Sequence, residues 1–211
     1  MSSIKLKHSG GNSVSLNPPT SAPTSSDVAF KLPNADGSAG QYMKTDGSGN
    51  LAFAAVTSGI SEYDQWYLTS TKSDNSDVTA NLSRVALTGS ASPLGTGMSE
   101  SSGIFTFPST GKYLVVANAQ FEVYGNDNCI LEVYVTTNNS SYTKVAIAID
   151  GNDGSTIRNG SSTAWYFLDV TDTSNVKVKF ATVSLGTNST LLGASSGFIH
   201  TGFHFAKLGD T

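Results

Sequence analysis

Charge is scarce in this chain. Asp, Glu, Lys and Arg make up 13% of its 211 residues, against about a quarter in an ordinary globular domain. The 12 basic and 16 acidic residues leave a net charge of −4. There is no basic surplus to neutralise phosphates, so no nucleic-acid partner is expected. Cysteine is nearly absent: the single Cys129 excludes an internal disulfide framework and every multi-cysteine metal site. Its neighbours Asn128, Ile130 and Leu131 read as strand, so a buried apolar thiol is expected. No apolar run approaches the ~18 residues of a spanning helix, and no membrane insertion is expected. The opening Met1-Ser2-Ser3-Ile4-Lys5-Leu6-Lys7 lacks the apolar stretch of a secretory signal, which points to synthesis in a cytoplasm. Ala, Glu, Lys and Leu in bulk are missing too, which excludes a coiled coil.

What is plentiful is small and polar. Ser, Thr, Asn and Gly together account for 91 of the 211 residues. Disorder throughout is excluded all the same, because 20 aromatics and many Val, Ile and Leu can fill a core. A β-rich structural or binding protein remains.

The composition shifts near residue 60. Residues 1–60 hold four of the six prolines (Pro18, Pro19, Pro23, Pro33) and three aromatics, Phe30, Tyr42 and Phe53. Ile4–Lys7 and Ser13–Leu16 alternate with period two, Val28–Leu32 stops at Pro33, and Asp46-Gly47-Ser48-Gly49-Asn50 turns between Gln41–Thr45 and Leu51–Phe53. Strands this short do not offset their ordering entropy alone. The segment is expected to dock on identical neighbours or on a larger assembly, through Ile4, Leu6, Val14, Leu16, Phe30 and Leu32.

Residues 61–211 differ. From Lys112 to Tyr124 one face carries Tyr113, Val115, Ala117, Ala119, Phe121 and Val123, and the other carries Lys112, Asn118, Gln120 and Glu122, which predicts a long strand. Further strands are expected at Gln65–Thr69, Ala80–Leu87, Gly103–Phe107, Ile130–Thr136, Tyr142–Ile149, Thr163–Val170, Asn175–Ser184 and Gly197–Leu208. Turn-forming stretches separate them, among them Asp150–Gly160. No helical period is present. The expected fold class is all-β: an extended N-terminal segment (1–60), then a β-sandwich or jelly roll (61–211) whose two apolar faces bury each other.

Ser102-Gly103-Ile104-Phe105-Thr106-Phe107-Pro108-Ser109-Thr110-Gly111-Lys112-Tyr113 resembles the signature G-x-F-x-x-P-x-x-G-x-Y of C1q/TNF-like jelly rolls. Ser196–Phe205 resembles the last strand of that superfamily. The resemblance implies a homotrimer whose subunits pack flat sheet faces around a threefold axis. It also places Phe105, Phe107, Tyr113, Phe121, Phe203 and Phe205 in trimer or core packing. The run Leu32–Phe53, with the opening Ile4–Leu16, resembles a module of bacteriophage fibre proteins, especially of marine, cyanophage-type phages. That second resemblance implies a virion protein attached by its N-terminal part and facing outward with its distal part. A repetitive shaft is missing, which suggests a stubby fibre or a decoration protein.

Chemistry-bearing patterns are few. Gly193-Ala194-Ser195-Ser196-Gly197 matches G-x-S-x-G, but that elbow needs a strand before and a helix after, and an apolar strand-like run follows. No acid pair, metal cluster or nucleophile is convincing, so no enzyme and no cofactor are expected. His200 and His204 are expected on one face of the final strand. Around a threefold axis they could hold an ion or make a pH-dependent interface, although ordinary core or interface histidines are the plainer reading. Asp150 and Asp153 offer oxygen ligands in Asp150–Ser155, where the calcium-loop spacing fails and a turn reads better. Asn81, Asn138, Asn139, Asn159 and Asn188 begin N-x-[ST] triplets by chance of composition. Trp66, Tyr67, Trp165 and Tyr166 are candidates for stacking on a host-surface polysaccharide, against the commoner core role.

The function expected from these readings is a non-enzymatic phage virion structural protein at the virion surface, a homotrimeric short fibre or surface protein on head or tail. Its N-terminal segment would contact capsid, portal, neck or tail proteins, and its jelly roll would serve host attachment. Capsid decoration is the near alternative, and a carbohydrate-binding module is the alternative of another class.

Overall fold

The computed structural model describes residues 4–17, 19–23, 28–55, 59–86, 89, 92–194 and 198–211. Every named strand pairing among them is antiparallel. The chain divides into two compact units, Met1–Thr57 and Ser58–Thr211.

The described residues of the first unit form two hairpins. β1 (Ile4–Lys7) pairs with β2 (Ser13–Leu16) in the register Ile4–Leu16 and Leu6–Val14. Directly opposed residues share a face, so all four aliphatic side chains lie together, with Lys5, Lys7, Ser13 and Ser15 on the reverse. β3 (Gln41–Thr45) pairs with β4 (Leu51–Ala55). The loop between them is self-supporting. Asp46 Oδ1 accepts the Ser48 N–H at 2.8 Å and the Asn50 N–H at 3.1 Å, while the Asn50 amide donates to Oδ2 at 2.6 Å. These bonds, the Asn50 side chain's first, hold the Asp46 carboxyl below its ordinary range. The strand expected at Val28–Leu32 reduces to a single parallel bridge between Lys31 and Asn50. With Pro33 unable to donate, a longer ladder cannot run on.

The second unit is a sandwich of two sheets. Its strands are β5 (Tyr63–Leu68), β6 (Leu82–Arg84), β7 (Ser99–Ser101), β8 (Ile104–Thr106), β9 (Gly111–Val123), β10 (Asn128–Thr136), β11 (Thr143–Gly151), β12 (Arg158–Val170), β13 (Lys177–Val183), β14 (Thr190–Leu191) and β15 (Gly202–Gly209). One sheet runs β11-β10-β13-β8-β7 and the other β12-β9-β15-β5-β6, with β14 on β9. Every odd-numbered residue of β9 is buried, so the inward face expected from the alternation is the one that packs. Phe105 sits at the centre, with its ring centroid 5.0 Å from Phe205, 5.5 Å from Trp66 and 5.7 Å from Phe180. Phe107, Tyr113, Phe121 and Phe203 complete this core, each at most 2% exposed. The six aromatics expected in trimer or core packing therefore belong to the core.

Several boundaries differ from expectation. β12 begins at Arg158, inside the stretch read as a turn, because Arg158–Ser162 continue the ladder with β9 up to Val123. The final strand begins at Gly202, so His200 precedes it. The strand expected at Gly103–Phe107 is β8, which forms a tight hairpin with the preceding β7, turning on Ser102 and Gly103, both with positive φ, which is the geometry of a type I′ turn.

Two glycines of that motif are required by space as well as by dihedral. At Gly111 a Cβ would lie 2.7 Å from the Gly209 carbonyl oxygen. At Gly103 (φ +82°) a Cβ would lie 2.1 Å from the Val78 carbonyl oxygen and 2.9 Å from the Thr79 Cα. Gly103→Ala is expected to lose more than about 1 kcal/mol through the dihedral and about 1–3 kcal/mol more through overpacking against backbone that cannot yield. Urea denaturation measures the loss, and a variant as stable as the parent would contradict the close approach.

Candidate functional site

The two units each present an apolar surface. In the first, Ile4, Leu6, Val14, Leu16, Phe30 and Leu32 are all between 63% and 77% exposed. Ile4, Leu6, Val14 and Leu16 share one face of the β1–β2 hairpin, and a two-stranded hairpin has no second layer to cover such a face.

In the second unit the surface is the outer face of the six-stranded sheet. Because β9 turns its odd residues inward, its even residues face out, and the registers carry the alternation across the sheet. Trp165, Val116, His204 and Gln65 form one row over β12, β9, β15 and β5, and Phe167, Leu114, Ala206 and Tyr63 form the next. Trp165 is 67% exposed and Phe167 51% exposed. Isolated exposed apolar side chains are ordinary, but contiguous ones in a row mark an interaction surface. The outer face of the other sheet also carries exposed Ile147 and Ile149. There, however, ion pairs of Lys144 with Glu132 and of Lys179 with Asp77 interrupt the apolar surface.

A chain of side-chain hydrogen bonds crosses the aromatic face beside these rows. The Thr163 hydroxyl donates to Asn118 Oδ1 at 2.9 Å, Asn118 Nδ2 lies 3.1 Å from His204 Nε2, and His204 Nδ1 lies 2.9 Å from the Tyr63 hydroxyl. Burial pushes the His204 imidazole below its ordinary value. Burial, with the Asp64 charge adding to it, pushes the Tyr63 hydroxyl up. His200 reaches the same face from outside β15, its Nδ1 2.7 Å from Gln120 Oε1. The two histidines thus share a face, but the lone final strand does not supply both.

The four aromatics considered for glycan stacking separate. Trp66 turns inward, donates its indole N–H to Asp64 at 2.8 Å and lies under the Arg84 guanidinium; Tyr166 also packs against the core. Those two rings are used by the fold. Tyr67 and Trp165 are on the outer face, where Trp165 is the more exposed. Asp150 is paired with Arg158, and its Oδ2 occupies the space that a side chain at Gly160 would need. Asp153 lines an open basin with Asn126, Asn128, Asn152 and Arg158. Among the described residues no group of three or more His, Cys, Asp or Glu is placed to hold a metal ion. Ser195, Ser196 and Gly197 of the G-x-S-x-G pattern lie outside the described residues.

The sequence reading missed Leu114, Val116, Phe167, Asn118 and Thr163 as members of one surface. A signal was present: Ala164–Leu168 is apolar on both strand faces, which a half-solvated antiparallel strand is not.

Comparison with known proteins bears on the fold. No protein-family model matches the chain, and no curated protein does. Among solved structures it is similar to murine APRIL at pH 5.0, with a TM-score of 0.52, 15% identity, and coverage of 70% of this chain and 98% of that one. It is also similar to the Eiger TNF from S. frugiperda, with a TM-score of 0.52, 11% identity, and coverage of 72% of this chain and 96% of that one. The protein is all-β, and its sandwich is a TNF-like jelly roll.

Proposed function

We propose that the protein is a non-enzymatic structural protein of a bacteriophage virion. It is a homotrimeric short fibre or surface protein that anchors through its first unit and displays its jelly roll outward for host-surface attachment. The observation that carries this reading is the unpartnered outer face of the six-stranded sheet, with Trp165 and Phe167 exposed. A face of that kind is covered by two further copies of the chain in the trimer that the C1q/TNF-like resemblance implies. The aliphatic face of the β1–β2 hairpin and the Leu32–Phe53 run support anchoring by strand-rich contacts with other virion proteins. Multivalent display then converts weak contacts of single jelly rolls into useful avidity.

Deleting residues 1–57 tests the division of labour. The second unit has its own core, so the shortened protein is expected to remain a folded trimer by light scattering while its incorporation into particles falls to background. Undiminished incorporation would overturn the anchoring role. Antibody labelling of intact particles separates a fibre from a capsid decoration protein.

One observation favours a second reading. The open Trp165 ring can stack on a sugar, as a carbohydrate-binding module requires. Both readings claim the same residue, so its substitution distinguishes them.

A further inference from the structure

The orientation of the Asn118 amide, Oδ1 toward Thr163 and Nδ2 toward His204, gives the hydrogen-bond chain on the aromatic face a direction. The Thr163 hydroxyl donates to Asn118 Oδ1, which turns the Asn118 amide N–H groups toward His204. With the amide in this orientation His204 Nε2 accepts in the neutral ring, and Nδ1–H is left to donate to Tyr63. Adding a proton at Nε2 sets donor against donor. The amide must then flip so that Oδ1 receives the new N–H, and the Thr163 hydroxyl must turn to accept from Nδ2. Protonation thus reverses the relay from β15 to β12.

His204 lies on β15, the middle strand of this sheet, and in register with Trp165 and Val116. From this placement we infer that His204 is an acid-sensitive switch in the trimer interface: protonation reverses the relay, places a cation within the apolar contact, and loosens the assembly. The inference rests on the trimer reading given above.

Few other charges can compensate that cation. On β5 the residues facing His204 are Tyr63, which is titratable, and Gln65. β9 offers Val116 and Asn118, with Lys112 and Glu122 at the far ends of the strand. β12 offers Thr163 and Trp165, with Asp169 at its end, and β6 presents Ser83, its Arg84 being turned inward to Asp64. The approach to β15 adds His200, a second group that gains positive charge in acid.

The sign follows from burial. Burial within the single chain already holds His204 below 6.5, and covering this face with further copies lowers it again, so the separated chain binds the proton more readily and the assembly weakens as the pH falls below the value of the separated chain. With three copies of His204 in one trimer, and about tenfold for each, the trimer dissociation constant is expected to rise about a thousandfold between neutral pH and about pH 5.

Analytical ultracentrifugation of the full chain at both pH values, for wild type, His204→Gln and His200→Gln, tests this. The expected result is a wild-type trimer that dissociates in acid, a His200→Gln protein that does the same, and a His204→Gln trimer that persists. In wild type the midpoint of dissociation should coincide with the His204 ring titration followed by NMR, a measurement that stands even if His204→Gln does not fold. A wild-type trimer indifferent to acid, a midpoint apart from that titration, or a response abolished by His200→Gln would overturn the switch and leave the trimer standing. A monomer at neutral pH would overturn the trimer and the switch together.

Discussion

Asp64→Ala is expected to lower the melting temperature by about 10 °C, corresponding to a loss of about 3–5 kcal/mol. Asp64 is 1% exposed and holds together three separate parts of the chain. Its carboxylate accepts from Arg84 Nε at 3.0 and 3.1 Å and from Arg84 Nη2 at 3.0 Å. It also accepts from the Trp66 indole at 2.8 Å, the Met98 backbone N–H at 2.7 Å and the Ser92 hydroxyl at 2.9 Å. A buried carboxylate costs several kcal/mol in lost hydration, and this donor set is what offsets it.

Removing the carboxylate deprives all these donors at once. The Met98 N–H is buried, and the Arg84 guanidinium would keep its place over Trp66 without a counter-charge. With a total stability of about 5–15 kcal/mol for a domain, such a loss is a large share. Thermal denaturation followed by circular dichroism measures it. Arg84→Met should cost a comparable amount, because it strands the carboxylate. A double variant should cost much less than the sum, since contacting residues are not additive. A loss under about 1 kcal/mol for Asp64→Ala would show that the network is not what fixes β5 to β6 and to the segment around Met98.

This hub was illegible in the sequence for a physical reason. Apart from Trp66, its donors come from residues 20, 28 and 34 positions downstream, and no local pattern records which acidic residue of a polar-rich chain will meet them. What periodicity does record is a face. Tyr113, Val115, Ala117, Ala119, Phe121 and Val123 announced the inward side of β9 because its strand is long, half-buried and alternates without interruption. The glycines at 103 and 111 were legible as a motif, and their reason, the approach of the Val78 and Gly209 carbonyls, came only with the fold. β12 was read too short because Asn159-Gly160-Ser161-Ser162 has turn composition, and only its partner β9 makes it strand. β14 consists of two residues, Thr190 and Leu191, too few for any period to show.

The candidate site was divided in the same way. Trp165 and His204 were singled out by residue type, but their place in one row depends on registers between strands remote in sequence, which period-two patterns cannot supply. Residue type alone also pointed to Trp66, whose ring the Asp64 network claims.

Trp165→Ser is expected to convert the trimer to monomer while leaving each jelly roll folded. In a single chain the ring is 67% exposed, so its removal should change the stability of the isolated fold by no more than about 0.5 kcal/mol. At a subunit contact the balance differs, because a buried aromatic anchor is worth about 2 kcal/mol or more on truncation. Three equivalent copies lose it together, a total of about 6 kcal/mol, or about four orders of magnitude in the trimer dissociation constant. Phe167→Ser should act in the same direction and more weakly, since its ring is smaller and less exposed. Light scattering over a dilution series gives the oligomeric state, and far-ultraviolet circular dichroism checks that the sandwich is intact. The alternative has an opposite signature. If Trp165 is a sugar platform, the serine variant stays trimeric at every dilution and loses glycan binding instead. That result would remove the aromatic face from the subunit interface and, with it, the reason for a histidine at its centre to govern assembly.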